Sequence, residues 1–419
     1  MLDTYHPTGV SFLTRSLRPC NVRSHPRRGD AVTEKVRLEV LTTASQRDGV
    51  RLQIERCIEQ NRNQFDFKLS QIPHIKAAID ALKQGTGDLV AMSALNWREF
   101  DVEGLSIVGI LPRREPTWVL VSNDKPEYLV SQAVVICDHE LLRRQMRRLR
   151  SDLNLVTSEE FATMIGKSDV YANLDEEDKI HWIEECRQDE LLEGYIVARG
   201  EHAALKFKAR RHTLGLQREN PERTHFVPPP LYGFTLLVAR TGFPAATVAP
   251  MVDSGAILSH RIEAALLDSL PEHLHGIIGI FVEQRKFKTV LKEAQRRGDD
   301  FTNEVFLNSE KAKAQSGPSK WKQSVPRKEV PTTPRIEMKV ETLNYEGTVS
   351  ASVERICTIE ESHMGMVNVL KEFEVLLDTM QSEHEEMVRK FPGLPDEFSL
   401  PRPALLNLEH IQASSSEEE

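Results

Sequence analysis

The side chains best suited to chemistry in this 419-residue chain are a cluster of arginines, two neighbouring histidines and a few cysteines. Arg143, Arg144, Arg147, Arg148 and Arg150 crowd one segment just after the apolar run Ala133-Val134-Val135-Ile136. Guanidinium groups pair bidentately with carboxylates, so the cluster reads in two ways: an anion site at the mouth of a strand, or a solvated basic helix face. His273 and His275 suit a metal or a proton transfer, or are two incidental loop histidines. Cys137 reads as a nucleophile or as a small buried apolar residue. The acidic stretch Glu184, Glu185, Asp189 and Glu190 around Cys186 has the spacing of an ordinary exposed helix face. Cys20, Cys57, Cys137, Cys186 and Cys357 make no close pair, and no histidine spacing suits zinc, so no metal site is expected. Thiols scattered in this way fit a reducing compartment, and a cytoplasmic location is expected.

Those residues need elements to hold them. Val36 to Thr42 alternates as a half-buried strand does, and a helical period from Val50 to Gln60 follows. Phe65 to Leu69, Ile75 to Lys83 and Gly87 to Met92 continue as strand, helix and strand, an order that implies a parallel sheet flanked by helices. Leu105 to Leu111 and Trp118 to Ser122 add two strands. A second unit opens at Ala133 with a β-branched run typical of a buried parallel strand, followed by the helix Glu140 to Arg150. Pro228-Pro229-Pro230 leads into the strand Gly233 to Val238. A third region has the helix Ile257 to Ser269, the strand Gly276 to Val282, an antiparallel pair from Ile336 to Ile356 and a helix from Ile359 to Phe391.

Composition narrows the function classes. Hydrophobic content of 40% and charged content of 28% are ordinary for globular domains, and no apolar run is long enough to span a bilayer, so no membrane is expected. A formal net charge of -9 argues against a nucleic-acid partner. The basic start, with Arg15, Arg18, Arg23, Arg27 and Arg28, reads as an organelle transit peptide or a disordered extension.

In order, the segments from Lys35 to about Leu377 resemble porphobilinogen deaminase (hydroxymethylbilane synthase). The resemblance rests on His74 to Leu82 with Gly87-Asp88-Leu89-Val90-Ala91-Met92-Ser93, on Gly104 to Ser122 through Arg113-Arg114-Glu115-Pro116, on Leu142-Arg143-Arg144-Gln145 followed by Leu149 to Leu153, and on Pro228 to Val238. It implies an α/β fold with two periplasmic-binding-protein-like lobes of mainly parallel sheets and a small C-terminal α+β domain. The expected parts are a disordered basic extension (1–34), a first lobe and hinge-side strand (35–125 and 225–250) and a second lobe (130–224). A third domain (251–284 and 335–392), an inserted polar loop (285–334) and a disordered acidic tail (393–419) complete the chain.

The family needs an aspartate for the cationic pyrrole intermediates, a cysteine that tethers a dipyrromethane cofactor and arginines for carboxylate side chains. By the resemblance, Asn96 stands at the aspartate position and Leu274 at the cysteine position. An amide has no exchangeable acid proton and offers little to a cation. No catalytic residue and no cofactor are therefore expected, and Ser93, Arg143 and Arg144 remain as ligand-binding candidates for a small anion, for which the resemblance suggests a pyrrole carboxylate. The expectation is a degenerate binding or regulatory homologue of tetrapyrrole synthesis. Two alternatives stay open: an active synthase with a dipyrromethane carried by Cys137 or Cys357, and an intracellular small-anion binding protein.

Overall fold

A computed structural model describes residues 35–43, 49–114, 116–218, 220, 223–300, 333–382, 406 and 408. The expected extension (1–34), residues 301–332 of the polar insertion and nearly all of the expected tail lie outside the described residues.

The alternating first region becomes β1 (Val36–Thr43), α1 (Val50–Asn61), β2 (Phe65–Ile72), α2 (Ile75–Lys83), β3 (Leu89–Ser93), α3 (Ala94–Glu99) and β4 (Leu105–Ile110). On α2 the helical spacing of Ala78, Ile79 and Leu82 puts all three on the buried face. The second region holds β5 (Trp118–Ser122), β6 (Val134–Ile136), α4 (Glu140–Leu149), β7 (Asn154–Val156) and α5 (Ser158–Met164). It continues with α6 (Ser168–Ala172), α7 (Glu176–Gln188), β8 (Gly194–Ala198), α8 (Arg199–Leu205) and β9 (Arg211–Leu214), before the chain returns as β10 (Thr235–Arg240).

Two five-stranded sheets result, in the orders β2-β1-β3-β10-β4 and β7-β6-β8-β5-β9. In each, the first three strands are parallel, and one strand enters antiparallel to both its neighbours. That strand is brought by the crossing chain: β5 follows β4 into the second sheet, and β10 follows β9 back into the first. The two crossings form the hinge between two α/β lobes. The strand Trp118 to Ser122, expected in a first lobe ending at 125, is thus an interior strand of the second sheet, pairing from Trp118↔Ala198 to Ser122↔Gly194. Alternation tells that a segment is a strand and which face is buried, but not which sheet receives it.

The third unit is a small α+β domain: α9 (Ser254–Ser269), β11 (Ile278–Arg285), α10 (Phe287–Arg297), β12 (Arg335–Leu343), β13 (Ser350–Thr358) and α11 (Ser362–Gln381), with an antiparallel β11-β12-β13 sheet. Its core is continuous with that of the first lobe, since Ile79, Met92 and Phe234 share one apolar cluster with Ile262, Ile280, Met338 and Phe373. The second lobe keeps separate clusters. Two expectations are corrected here. The polar insertion begins as α10, which buries Phe287, Val290 and Ala294 at helical spacing beneath its lysines. Within the tail expected to be disordered from 393, the described Leu406 is buried, and its N–H donates to the Met380 carbonyl at 2.8 Å.

The arginine cluster on α4 is the second lobe's ionic attachment to the third domain, not a wet face. Arg144 is buried and donates to the Leu343 and Leu408 carbonyls at 2.8 and 3.0 Å, and to Glu140 at 2.8 Å. Arg147 donates to the Tyr345 carbonyl at 3.0 Å and lies 4.1 Å from that ring's centroid. Arg148 pairs with Glu341 at 3.1 Å and also donates to the His225 carbonyl. The hairpin turn at Gly347 packs so closely that a Cβ there would lie 2.4 Å from the Arg144 carbonyl oxygen, and its φ of +72° already favours glycine.

Candidate functional site: the interlobe cleft

A cavity of about 790 Å³ opens between the lobes at the hinge. The first lobe contributes Ser93, Leu95, Asn96 and Glu99 from the end of β3 and from α3. The hinge supplies Thr117, Trp118 and Tyr232, and the second lobe Asp138, His139, Ser158, Glu159 and Tyr171. This is the region beyond the carboxyl ends of parallel strands, where open α/β sheets place their ligands.

Three aromatic rings form the hinge wall. Trp118 lies 5.1 Å from Tyr232 and 5.8 Å from His139, centroid to centroid, and His139 lies 6.3 Å from Tyr232. Thr117 Oγ1, Trp118 Nε1 and His139 Nδ1 are buried and have no hydrogen-bond partner among the described residues. An orphaned buried polar group costs about 1–3 kcal/mol, so three of them in the residues of one wall leave the hinge under-satisfied. Opposite them, Tyr171 donates to Ser158 Oγ at 2.7 Å, and the Ser158 hydroxyl and N–H both donate to Asp138 Oδ1 at 2.7 Å. The Thr157 hydroxyl accepts from the Glu160 N–H, and the Glu160 carboxylate accepts from the Thr157 N–H. That reciprocal cap fixes the first turn of α5, and with it Ser158 and Glu159.

The residues singled out from sequence divide. Ser93 and Asn96 lie in the cleft wall, where the Ser93 hydroxyl caps α3 by accepting from the Asn96 N–H at 3.1 Å. Arg143 and Arg144 do not line the cavity. Arg143 is held by Glu140 at 2.6 Å and by the Cys137 carbonyl at 2.7 Å, and Arg144 by the third domain. Leu274 sits in the shared apolar core, so the position matched to a cofactor thiol does not face the cleft. His273 is exposed while His275 contacts the Leu270 carbonyl at 3.1 Å, and no metal-binding group of three or more His, Cys, Asp or Glu forms among the described residues. Glu184, expected on an exposed face, is buried and bonds Arg187, Gln188 and Tyr195.

Neither alternative cysteine is a ready nucleophile. Cys137 is fully buried, its thiol donates to the His139 carbonyl at 3.5 Å, and burial pushes its pKa up to about 12. Burial also raises the half-buried Cys357 thiol. Trp118, His139 and Tyr232 were not legible as a site, because they lie far apart in sequence and each has the bland look of a strand-edge or loop aromatic. Their signal was positional: Trp118 and His139 flank the two strands, β5 and β6, that open the second lobe.

Burial lowers the His139 pKa to about 4, assisted by the nearby Arg143. Burial does the same to His260, to about 4, with Arg113, Arg261 and Arg98 adding to it. Both imidazoles are neutral when folded, whereas the unfolded chain takes up their protons near 6.5. Between those values the unfolded state binds more protons, so stability falls as the solution is acidified through this window. By pH 5 the loss is about 2 kcal/mol per histidine. Urea midpoints at pH 7 and pH 5 read it directly, and His139→Gln with His260→Asn should flatten the difference.

A second cavity, of about 670 Å³, lies between the hinge and the third domain, but its Arg218 is already spent on Glu283 and Glu337 at 2.6 and 2.5 Å. Among the described residues no helix is long and apolar enough to cross a membrane.

The strand orders and the cleft define a two-lobed α/β chain with a small third domain. No protein-family model and no curated protein matches it. Among solved structures it is similar to the OxyR2 regulatory domain from Vibrio vulnificus, at 12% identity over 52% of this chain and 92% of that one, with a TM-score of 0.27. It is also similar to lipoprotein Tp32 from Treponema pallidum (13% identity, 56% and 96% covered, TM-score 0.29). A further likeness is to the periplasmic aliphatic sulphonate binding protein SsuA from Escherichia coli (13% identity, 56% and 70% covered, TM-score 0.28). The strand orders, not these likenesses, carry the fold class.

Proposed function

We propose that this chain binds a small polar ligand between its lobes and performs no covalent chemistry on it. The observation that carries this reading is the cavity of about 790 Å³ itself, set between the lobes beyond the carboxyl ends of their parallel strands and lined by polar and aromatic side chains of both. Ligand exchange would open and close the lobes about the two crossing strands, as two-lobed clefts do. The resemblance to porphobilinogen deaminase extends the reading to a degenerate member of that family, with Ser93 as a ligand contact and a pyrrole carboxylate as a candidate ligand. Asn96 in the wall and the buried Leu274 favour binding over synthesis.

The test is titration calorimetry of the full chain against porphobilinogen and a panel of small amino acids and carboxylic acids. Saturable binding is expected, weakened about tenfold by Trp118→Phe, which keeps most of the ring but removes the donor. The intact mass should be that of the bare chain. No binding by any compound would overturn the cleft reading. A dipyrromethane increment on a cysteine, or release of a bilane, would restore the enzyme.

A further inference from the structure

We infer that α4 is a latch on the cleft: the contact between its arginines and the turn joining β12 to β13 fixes the separation of the lobes, and the cleft opens only when that contact is released. The inference rests on the two-lobed binding reading above and names what controls access to the cleft.

Two bodies meet at the hinge. The first lobe and the third domain move as one, because a single apolar cluster runs from Met92 and Leu236 through Ile262 to Met338 and Phe373. The second lobe has its own apolar clusters, and neither includes a residue of the third domain. What joins this lobe to that domain is polar and directional. Arg144 donates to the Leu343 carbonyl at 2.8 Å, Arg147 donates to the carbonyl and hydroxyl of Tyr345 at 3.0 and 3.2 Å, and Arg148 pairs with Glu341 at 3.1 Å. Rotation of the second lobe about the two crossings carries α4 across the turn, and bonds this sensitive to distance and angle break together.

The same helix reaches the cleft. Leu142 and Met146 seat α4 in the core of the second lobe, so the helix moves with that lobe. Asp138 and His139, immediately before its first turn, line the cavity, and the arginines that grip the third domain follow within its ten residues, a length of about 15 Å. Release strands no charge. Water can replace the guanidinium groups at the carbonyls, and Glu341 keeps His225 Nε2 of the second crossing at 2.7 Å. A contact built from replaceable bonds opens and recloses, so its free energy is added to that of every opening of the cleft.

The interlobe distance of the full chain, without ligand, is read by pulsed electron resonance between spin labels on unnatural amino acids at the exposed Lys76 of α2 and Glu185 of α7, which leaves the cysteines untouched. The parent should give one narrow distribution. Arg147→Ala with Arg148→Ala should raise the open-to-closed ratio about a hundredfold, tenfold for each arginine, and move the main population to a longer distance. Gly347→Ala should open the lobes without removing a charge, since its Cβ would lie 2.4 Å from the Arg144 carbonyl oxygen and 2.6 Å from the Arg148 nitrogen. Tyr345→Phe keeps the ring and the carbonyl that Arg147 uses and should match the parent. A shift in either opening variant, with a cooperative urea transition retained, supports the latch. A parent distribution that is already broad, or a parent distance kept by both variants, overturns it. No ligand enters these measurements, so loss of the latch leaves the cleft reading standing, and failure of every compound in the calorimetric panel overturns the cleft reading alone.

Discussion

Arg113→Met should unfold at a much lower urea concentration than the parent chain, with a loss of about 3–5 kcal/mol. Glu263 is fully buried on α9, and Arg113 grips it from the hinge at 2.6 and 3.2 Å. The same guanidinium donates to the Tyr232 carbonyl at 3.0 and 2.8 Å and to the Val282 carbonyl at 3.1 Å, and it stacks 3.9 Å from the Phe234 ring centroid. The Glu263 carboxylate also accepts the Leu231 and Val282 N–H groups, both at 2.8 Å. One ion pair thus ties the first crossing, the second crossing and the third domain. Removing Arg113 leaves a buried carboxylate with backbone donors but no cation. The cost is the stranded charge, not the worth of the pair, so Arg113→Met with Glu263→Leu should lose less than the two single losses added. A double-mutant cycle by urea denaturation checks this, and additive losses would refute the account.

Glu341→Ala should be the next most damaging change, at about 3 kcal/mol or more, by releasing the second lobe from the third domain. Glu341 is buried on β12 and meets Arg148 at 3.1 Å, His225 Nε2 at 2.7 Å and Gln145 at 3.5 Å. Burial pushes its carboxyl pKa up, but His225 and Arg148 outweigh burial and hold it below the ordinary glutamate value. A carboxyl lowered in the folded state contributes stability that is present above its unfolded pKa and lost as pH falls through the folded one. Hydrogen exchange should therefore rise along α4 and β12 in Glu341→Ala at neutral pH. In the parent the same rise should appear only in acid. Exchange that stays flat at α4 in the variant would mean the apolar contacts alone hold the lobe.

The elements were largely legible because their signals are local. Ala78, Ile79 and Leu82 at helical spacing report burial on one side of a helix whatever the rest of the chain does, and alternation marks β1 and β12 as strands even though packing buries both faces of β12. Helix α10 was hidden because its lysines dominate the composition while only Phe287, Val290 and Ala294 face the core. The burial of Leu406 was hidden for a similar reason, since one residue has no period.

The candidate site was legible only in part. Ser93, Leu95 and Asn96 lie in the wall because a segment at the end of a parallel strand must face the crevice, and the β-α-β succession that makes the strands parallel is legible along the chain. The arginines of α4 show where that logic fails. Position after β6 put them near the cleft, but a helix presents a different face every residue, and which face meets a third domain depends on packing no local pattern encodes.

By itself, then, the amino-acid sequence determined the succession of strands and helices and the plan of α/β lobes with a small third domain. These follow from side-chain identity and short-range periodicity. Tertiary structure alone decided that β5 and β10 exchange between sheets, that α4 serves as an attachment and that Trp118, His139 and Tyr232 meet in one wall. Each of those outcomes joins residues distant in the chain, and such contacts are chosen by the burial and charge balance of the whole fold, not by the neighbours of any one residue.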